Sequence, residues 1–161
     1  MKKFIFQFVG LILLIFLALL FYKGTLPNIP FLSKPTTYKQ LLLSDAKIIV
    51  EIADTQDKRS KGLGGRPSLA SDEGMLFIFD HEDKYPFWMK GLRFSLDFVW
   101  IKGNQVVDIL QNIPSPVEGQ KDESLPIYES QVPVDKVLEV NAGTVTRLNI
   151  KIGDTITLKS P

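Results

Sequence analysis

Lys90 and Asp97 lie within KYPFWMKGLRFSLDFVWI, residues 84–101, the most aromatic stretch that follows residue 22. Charge in such a place needs a reason. A buried aspartate without a partner costs several kcal/mol, so Asp97 is either exposed or answered by a cation and hydrogen bonds. Lys90, Arg66 and Arg59 are the cations on hand. Two arrangements are open. In one, the charges form an architectural salt bridge that fixes the aromatic hairpin against the GLGGR turn, residues 62–66. In the other, Trp88 roofs a polar pocket in which Lys90 and Arg66 receive an anionic or hydroxyl-rich ligand and Asp97 orients them.

Other chemistries are bounded by the inventory. His81 is the only histidine and there is no cysteine, so neither a His/Cys zinc site nor a cysteine nucleophile can be assembled. A Ser-His-Asp triad would have to use His81, whose setting, DHEDK, reads as a solvated turn. DHED (80–83) lacks the ligand count and spacing of an EF-hand loop. GLGGR follows a short helix instead of opening one after a strand, unlike a phosphate or dinucleotide loop. Two-carboxylate hydrolysis of glycosides stays open, from Asp97 with Asp108 or Glu139. No cofactor is indicated. The chain carries a formal charge of +1, and residues 1–22 hold two lysines, which leaves −1 on the remainder. A near-neutral domain without a basic run gives no footing for nucleic acid or an acidic polymer.

The elements that position these residues begin with the apolar front of the chain. Phe4 to Tyr22 runs without a charge, and a helix of that length spans roughly the 30 Å hydrocarbon core of a bilayer. Lys2 and Lys3 precede it and only Lys23 follows closely, which places the N-terminus in the cytoplasm and the rest outside. A cleaved signal peptide is the competing reading. The run exceeds the usual length of about 7–15 residues and no small-x-small site closes it, which favours an uncleaved anchor. Without cysteine there is neither a lipid-modified N-terminal Cys nor a disulfide. Residues 23–46 contain Pro27, Pro30 and Pro35 and read as an extended spacer. Within it, 38–46 is either the end of the spacer or a first edge strand.

Residues 47–161 are one domain's worth of chain, with the period of strands. KIIVEIA (47–53) alternates, and GMLFIFD (74–80) is apolar on both faces, as in a central strand. FSLDFVWIK (94–102) and QVVDIL (105–110) flank Gly103-Asn104, a hairpin pair. KVLEV (136–140) and TITLK (155–159) complete the strands. A short helix in 54–65 begins at a cap from Asp54 or Thr55 and ends at Gly62, Gly64 and Gly65. AGTVTRLNI (142–150) reads as a single helical turn. Phe77, Phe79, Phe94, Phe98 and Trp100 are assigned to the core, and Gly74, Gly143 and Gly153 to turns. Alternation puts Trp88 and Lys90 on the face opposite Phe87 and Met89. Residues 111–135 hold four prolines and little periodicity, and read as a lid or a partner-binding arm.

The run A-x-T-x-x-x-R-x-x-GL-x-x-R (53–66), then GMLFIF (74–79), FWMK (87–90), LDFVWI (96–101), LEVNAG (138–143) and IGD (152–154), resembles the DUF192 family. The resemblance spans about residues 47–159 and implies a compact, mostly β domain with no agreed activity or cofactor. It carries recurrent polar residues onto Arg59, Arg66, Lys90, Asp97, Glu139 and Asp154. Two departures stand out. Gly64 replaces a Met, and Gly91-Leu92 replaces Asn-Thr, so any ligand contact those residues make in relatives is absent here.

The expectation is therefore a mostly β, barrel-like single domain with minor α, preceded by one transmembrane helix at 4–22. Its function is expected to be that of an envelope binding or accessory module for a small sugar or anion, through Arg66, Trp88, Lys90 and Asp97, with Arg59 and Glu139 in support. The alternatives are a carboxylate-dependent hydrolase of envelope polysaccharide and a structural domain gripping an envelope protein through 111–135.

Overall fold

A computed structural model describes residues 36–44 and 46–160, together with Ile12, Leu14, Ile15, Leu17 and Ala18. These five residues are helical and exposed. The rest of the expected membrane segment, 4–22, and the spacer up to 35 lie outside the described residues. Among the described residues no helix is long and apolar enough to cross a membrane. The chain divides into two compact units, Met1–Pro35 and Thr36–Pro161, and the strands among the described residues all belong to the second.

Alternating apolar residues produce seven strands in this unit: β1 (Tyr38–Leu43), β2 (Ala46–Ala53), β3 (Glu73–Asp83), β4 (Leu96–Lys102), β5 (Gln105–Ile113), β6 (Val134–Asn141) and β7 (Ile156–Lys159). They form one sheet in the order β5-β4-β6-β3-β2-β1-β7. Every pairing is antiparallel except β2 with β3. That parallel pair needs a crossover, which a short helix supplies (α1, Gln56–Lys61). Thr55 caps α1 by accepting from the Lys58 N–H, and Gly62 ends it at φ 50°, a conformation that suits glycine. A second helix, α2 (Thr144–Arg147), is a single turn before β7. The sheet curls until its edges meet: Gln105 bridges Thr155, and the Val106 N–H donates to the Asp154 carbonyl at 2.8 Å.

The curl gives the sheet two differently filled faces. One gathers aliphatic side chains from all seven strands, among them Leu41, Val50, Leu76, Ile101, Val106, Leu138 and Ile156. The other is aromatic: Phe77, Phe98 and Trp100 with Met75, Phe87 and Met89. Phe79 and Phe94, which alternation assigns to the core, are only half-buried and pack on the rim of this layer. The Trp100 Nε1 is buried with no acceptor among the described residues.

Several elements differ from the sequence reading. The stretch 38–46, ambiguous between spacer and edge strand, contains β1, which pairs on both sides, with β2 and β7. DHED is no solvated turn after the strand: β3 continues through Asp83 with its end exposed. Gly74 is not in a turn. It sits within β3, where a Cβ would come 2.8 Å from the Glu139 carbonyl oxygen of the paired β6. The stretch 111–135 is ordered by its neighbours. β5 runs to Ile113, a 3-10 turn forms at Asp122–Ser124, and Tyr128 exchanges two backbone hydrogen bonds with Phe87. The Tyr128 ring stands 5.9 Å from that of Phe98, so the segment lies on the aromatic layer.

Candidate functional site

Asp97 and Glu139 show how strand parity sorts the charged residues. Phe98 of β4 is in register with Glu139 of β6, so Asp97, one residue away, points to the opposite, aliphatic face. Asp97 is fully buried there. Among the described residues no cation answers it. Its Oδ1 accepts from the Asn112 N–H at 2.8 Å and its Oδ2 from the Val145 N–H at 2.9 Å. The carboxylate thereby pins the bulged end of β5, where Asn112 has φ 57°, to the first turn of α2. The expected salt bridge from Asp97 to Lys90, Arg66 or Arg59 is not formed, because those residues stand elsewhere.

Arg66 pairs with Glu51 at 2.5 Å, on the turn that follows α1. Lys90 is exposed and pairs with Asp122 at 2.9 Å, which holds its ammonium above the usual lysine range. Its Nζ also lies 5.6 Å over the Trp88 ring. Phe87 and Met89 are buried while Trp88 and Lys90 face outward, as the alternation indicates. Arg59 reaches back from α1: its Nη1 donates to the Ile78 carbonyl at 2.8 Å and to the Asp54 carbonyl at 3.1 Å, and its guanidinium sits 5.1 Å over Phe79.

A cleft of about 580 Å³ opens between α1 with its glycine turn, the aromatic end of β3 and the segment 85–92. Phe77, Phe79, Tyr85 and Phe87 wall it, and Arg59, Lys61, Trp88 and Lys90 line it as well. The turn reaches the 85–92 segment closely, with the Gly65 N–H donating to the Gly91 carbonyl at 2.9 Å. A Cβ on Gly64 would stand 3.1 Å from the Lys61 carbonyl.

Glu139 also lines the cleft. It lies between Met75 and Phe98 in the register of the sheet, on the aromatic face, and is 4% exposed. Among the described residues nothing donates to its carboxyl and no cation pairs with it. Burial alone pushes it up to about 8, so the side chain is mostly a neutral acid at pH 7. A neutral carboxyl can donate one hydrogen bond and accept others.

Of the six residues singled out in the sequence, the structure brings Trp88, Lys90, Arg59 and Glu139 to one cleft and leaves Arg66 and Asp97 outside its lining. The carboxylate pairs considered for hydrolysis do not assemble. Asp97 is on the other face, Asp108 accepts from the Ile109 and Gln131 N–H groups, and among the described residues Glu139 is the only acidic side chain in the lining. All four walls of the cleft escape the sequence reading: alternation turns Phe87 away from Trp88, nothing singles out Tyr85, and Phe77 and Phe79 read as packing. The signal for the two phenylalanines is the odd-numbered alternation of β3, which sets Met75, Phe77 and Phe79 on Glu139's side. Among the described residues no cluster of His, Asp and Glu could hold a metal ion.

The profile of the uncharacterized family DUF192 matches residues 40–158. A crystal structure from Sinorhizobium meliloti, described as a candidate transcription regulator, is 30% identical with a TM-score of 0.69, covering 78% of this chain and 97% of that one. A protein of unknown function from Novosphingobium aromaticivorans is 27% identical with a TM-score of 0.63, covering 76% and 84%. No curated protein matches the chain.

Proposed function

Because the chain belongs to the DUF192 family, for which no activity is assigned, we propose from its own geometry that it is a small-ligand binding or accessory module. The site is the aromatic cleft, with Glu139 as its recognition group and Trp88 and Lys90 beside it. One observation carries this reading: a carboxyl without a partner among the described residues, on a side chain only 4% exposed that faces a cavity large enough for a small molecule. A fold gains nothing from such a group, since an apolar side chain of similar volume would pack there without the desolvation cost. A ligand sugar hydroxyl, amide or acid group would supply the missing hydrogen bonds.

The module is tethered to a membrane by residues 4–22 and displayed on the extracytoplasmic side. Supporting this are the charge-free run, the two lysines ahead of it, and the exposed apolar side chains of Ile12, Leu14, Ile15 and Leu17. Alkaline washing of membranes from expressing cells tests the tether: the full chain stays in the pellet, and its release into the wash would refute it.

The binding role is tested without knowing the ligand, by melting the full chain in detergent micelles with and without Glu139→Met. If Glu139 is kept for binding, the variant melts at a higher temperature than the native chain. A lower one would return Glu139 to architecture.

A further inference from the structure

The distribution of charge along the cleft narrows the ligand further, on the premise that the cleft is the binding site. Three cationic side chains line it, Arg59, Lys61 and Lys90, against the single carboxyl of Glu139. Lys61 and Lys90 are exposed, whereas Glu139 is buried. Lys90 has Asp122 as a partner, whereas no carboxylate pairs with Lys61 among the described residues. The outer part of the cleft thus carries two exposed ammonium groups, that of Lys90 shared with Asp122 and near Glu123, and its buried end offers an uncharged hydrogen-bonding acid among aromatic rings.

This gradient excludes the ligand that aromatic rings and a carboxyl usually suggest, an organic ammonium. Phe79 already stacks on Tyr85 at 3.5 Å and carries the Arg59 guanidinium, and the Lys90 Nζ already lies over Trp88. An ammonium would also have to pass two lysines. A free inorganic anion fits no better, because it would fill only the outer end and leave the buried carboxyl unmet. The other rings that line the cleft are Phe77 and Phe87, both buried and packed edge to face on each other, and the half-exposed Trp88, over which the Lys90 Nζ lies. Their negative faces attract the weakly positive C–H groups of a saturated ring.

We infer that the cleft takes a hydroxylated ring bearing an anionic substituent, a sugar acid or sugar phosphate, with its hydroxyls on Glu139 and its anion held between Lys61 and Lys90. Lys90 would exchange its Asp122 partner for that anion. The volume of about 580 Å³ accommodates one or two such rings.

Calorimetry on the full chain in micelles tests this with D-glucuronate and D-galacturonate, their neutral parents glucose and galactose, inorganic phosphate, and choline. One of the two uronates should bind at least about tenfold more tightly than its neutral parent, than phosphate and than choline. The double variant Lys61→Gln, Lys90→Gln should bring that uronate down to the level of its parent, and Glu139→Leu should weaken uronate and parent alike. Choline binding more tightly than both uronates, or phosphate matching them, would overturn the assignment of ligand class. So would silence from both uronates and from D-glucose 6-phosphate, titrated alongside them. If Glu139→Met still raises the melting temperature in those cases, the cleft remains a binding site and only its ligand is wrong; if it lowers it, both readings fall.

Discussion

Replacing Glu139 by glutamine separates its charge from its shape, and the structure says how the two should differ with pH. Burial lifts the carboxyl from its usual 4.5 to about 8. In the unfolded chain the group releases its proton near the lower value; in the folded chain it keeps it until the higher one. The folded state therefore binds more protons across this window, and stability falls as pH rises through it. Below about pH 4.5 both states are protonated and the group contributes no slope; above about pH 8 the loss is complete. Integrated from about pH 5 to about pH 9, the native chain should lose about 4 kcal/mol relative to Glu139→Gln, which cannot ionise. Urea unfolding of both chains in the same micelles measures this, and taking their difference removes every other titrating group. The carboxyl carbon of Glu139, followed by NMR and assigned through the variant, should titrate near 8. Parallel stability curves for the two chains, or a midpoint near 4.5, would show that water or an unnoticed donor reaches the carboxyl and that the cleft's buried end is not dry.

Other expectations rest on single contacts. Asp97→Ala strips the acceptor from one buried and one part-buried backbone N–H group, so it should cost about 2–4 kcal/mol in thermal or urea unfolding, with Asp97→Asn costing less because one acceptor survives. Gly74→Ala drives a methyl group against the Glu139 carbonyl and should lower stability by about 1–3 kcal/mol, visible as weakened amide protection along β3 and β6. Lys90→Ala removes an exposed pair and should leave the melting temperature within error of the native value; a large drop would make Lys90 part of the scaffold instead of the cleft's mouth.

Much of this domain is legible because strands write themselves into sequence with period two. Ile48, Val50 and Ile52 announce β2, Gly103-Asn104 announces the β4–β5 turn, and Thr55 with Gly62 brackets α1. Asp97 is misread for the opposite reason. Its partners are backbone amides brought from Asn112 and Val145, and no side-chain inventory can nominate a peptide N–H. Closeness along the chain misleads as well: Lys90 lies in the segment that leaves the sheet to form the cleft, whereas Asp97 is back inside β4 and faces the other way. Glu139 enters the supporting set only through the family resemblance, although VLEV holds the physical clue, a charge flanked by apolar residues on both sides within a strand. What periodicity cannot supply is the neighbour across the sheet. That Met75 and Phe98 surround Glu139 depends on β6 inserting between β3 and β4, a matter of topology.

The same topology sets β1 beside β7, with Gln40 opposite Lys159, so the opening and closing strands of the domain are neighbours. A nascent chain cannot complete this sheet until β7 has left the ribosome. Until then Leu41 and Leu43 lack the cover that Ile156 and Leu158 provide, and the unfinished edge is free to pair with a stranger. Removing β7, Ile156–Lys159, should therefore harm the domain far more than the strand's short length suggests, because it uncovers β1's outer edge.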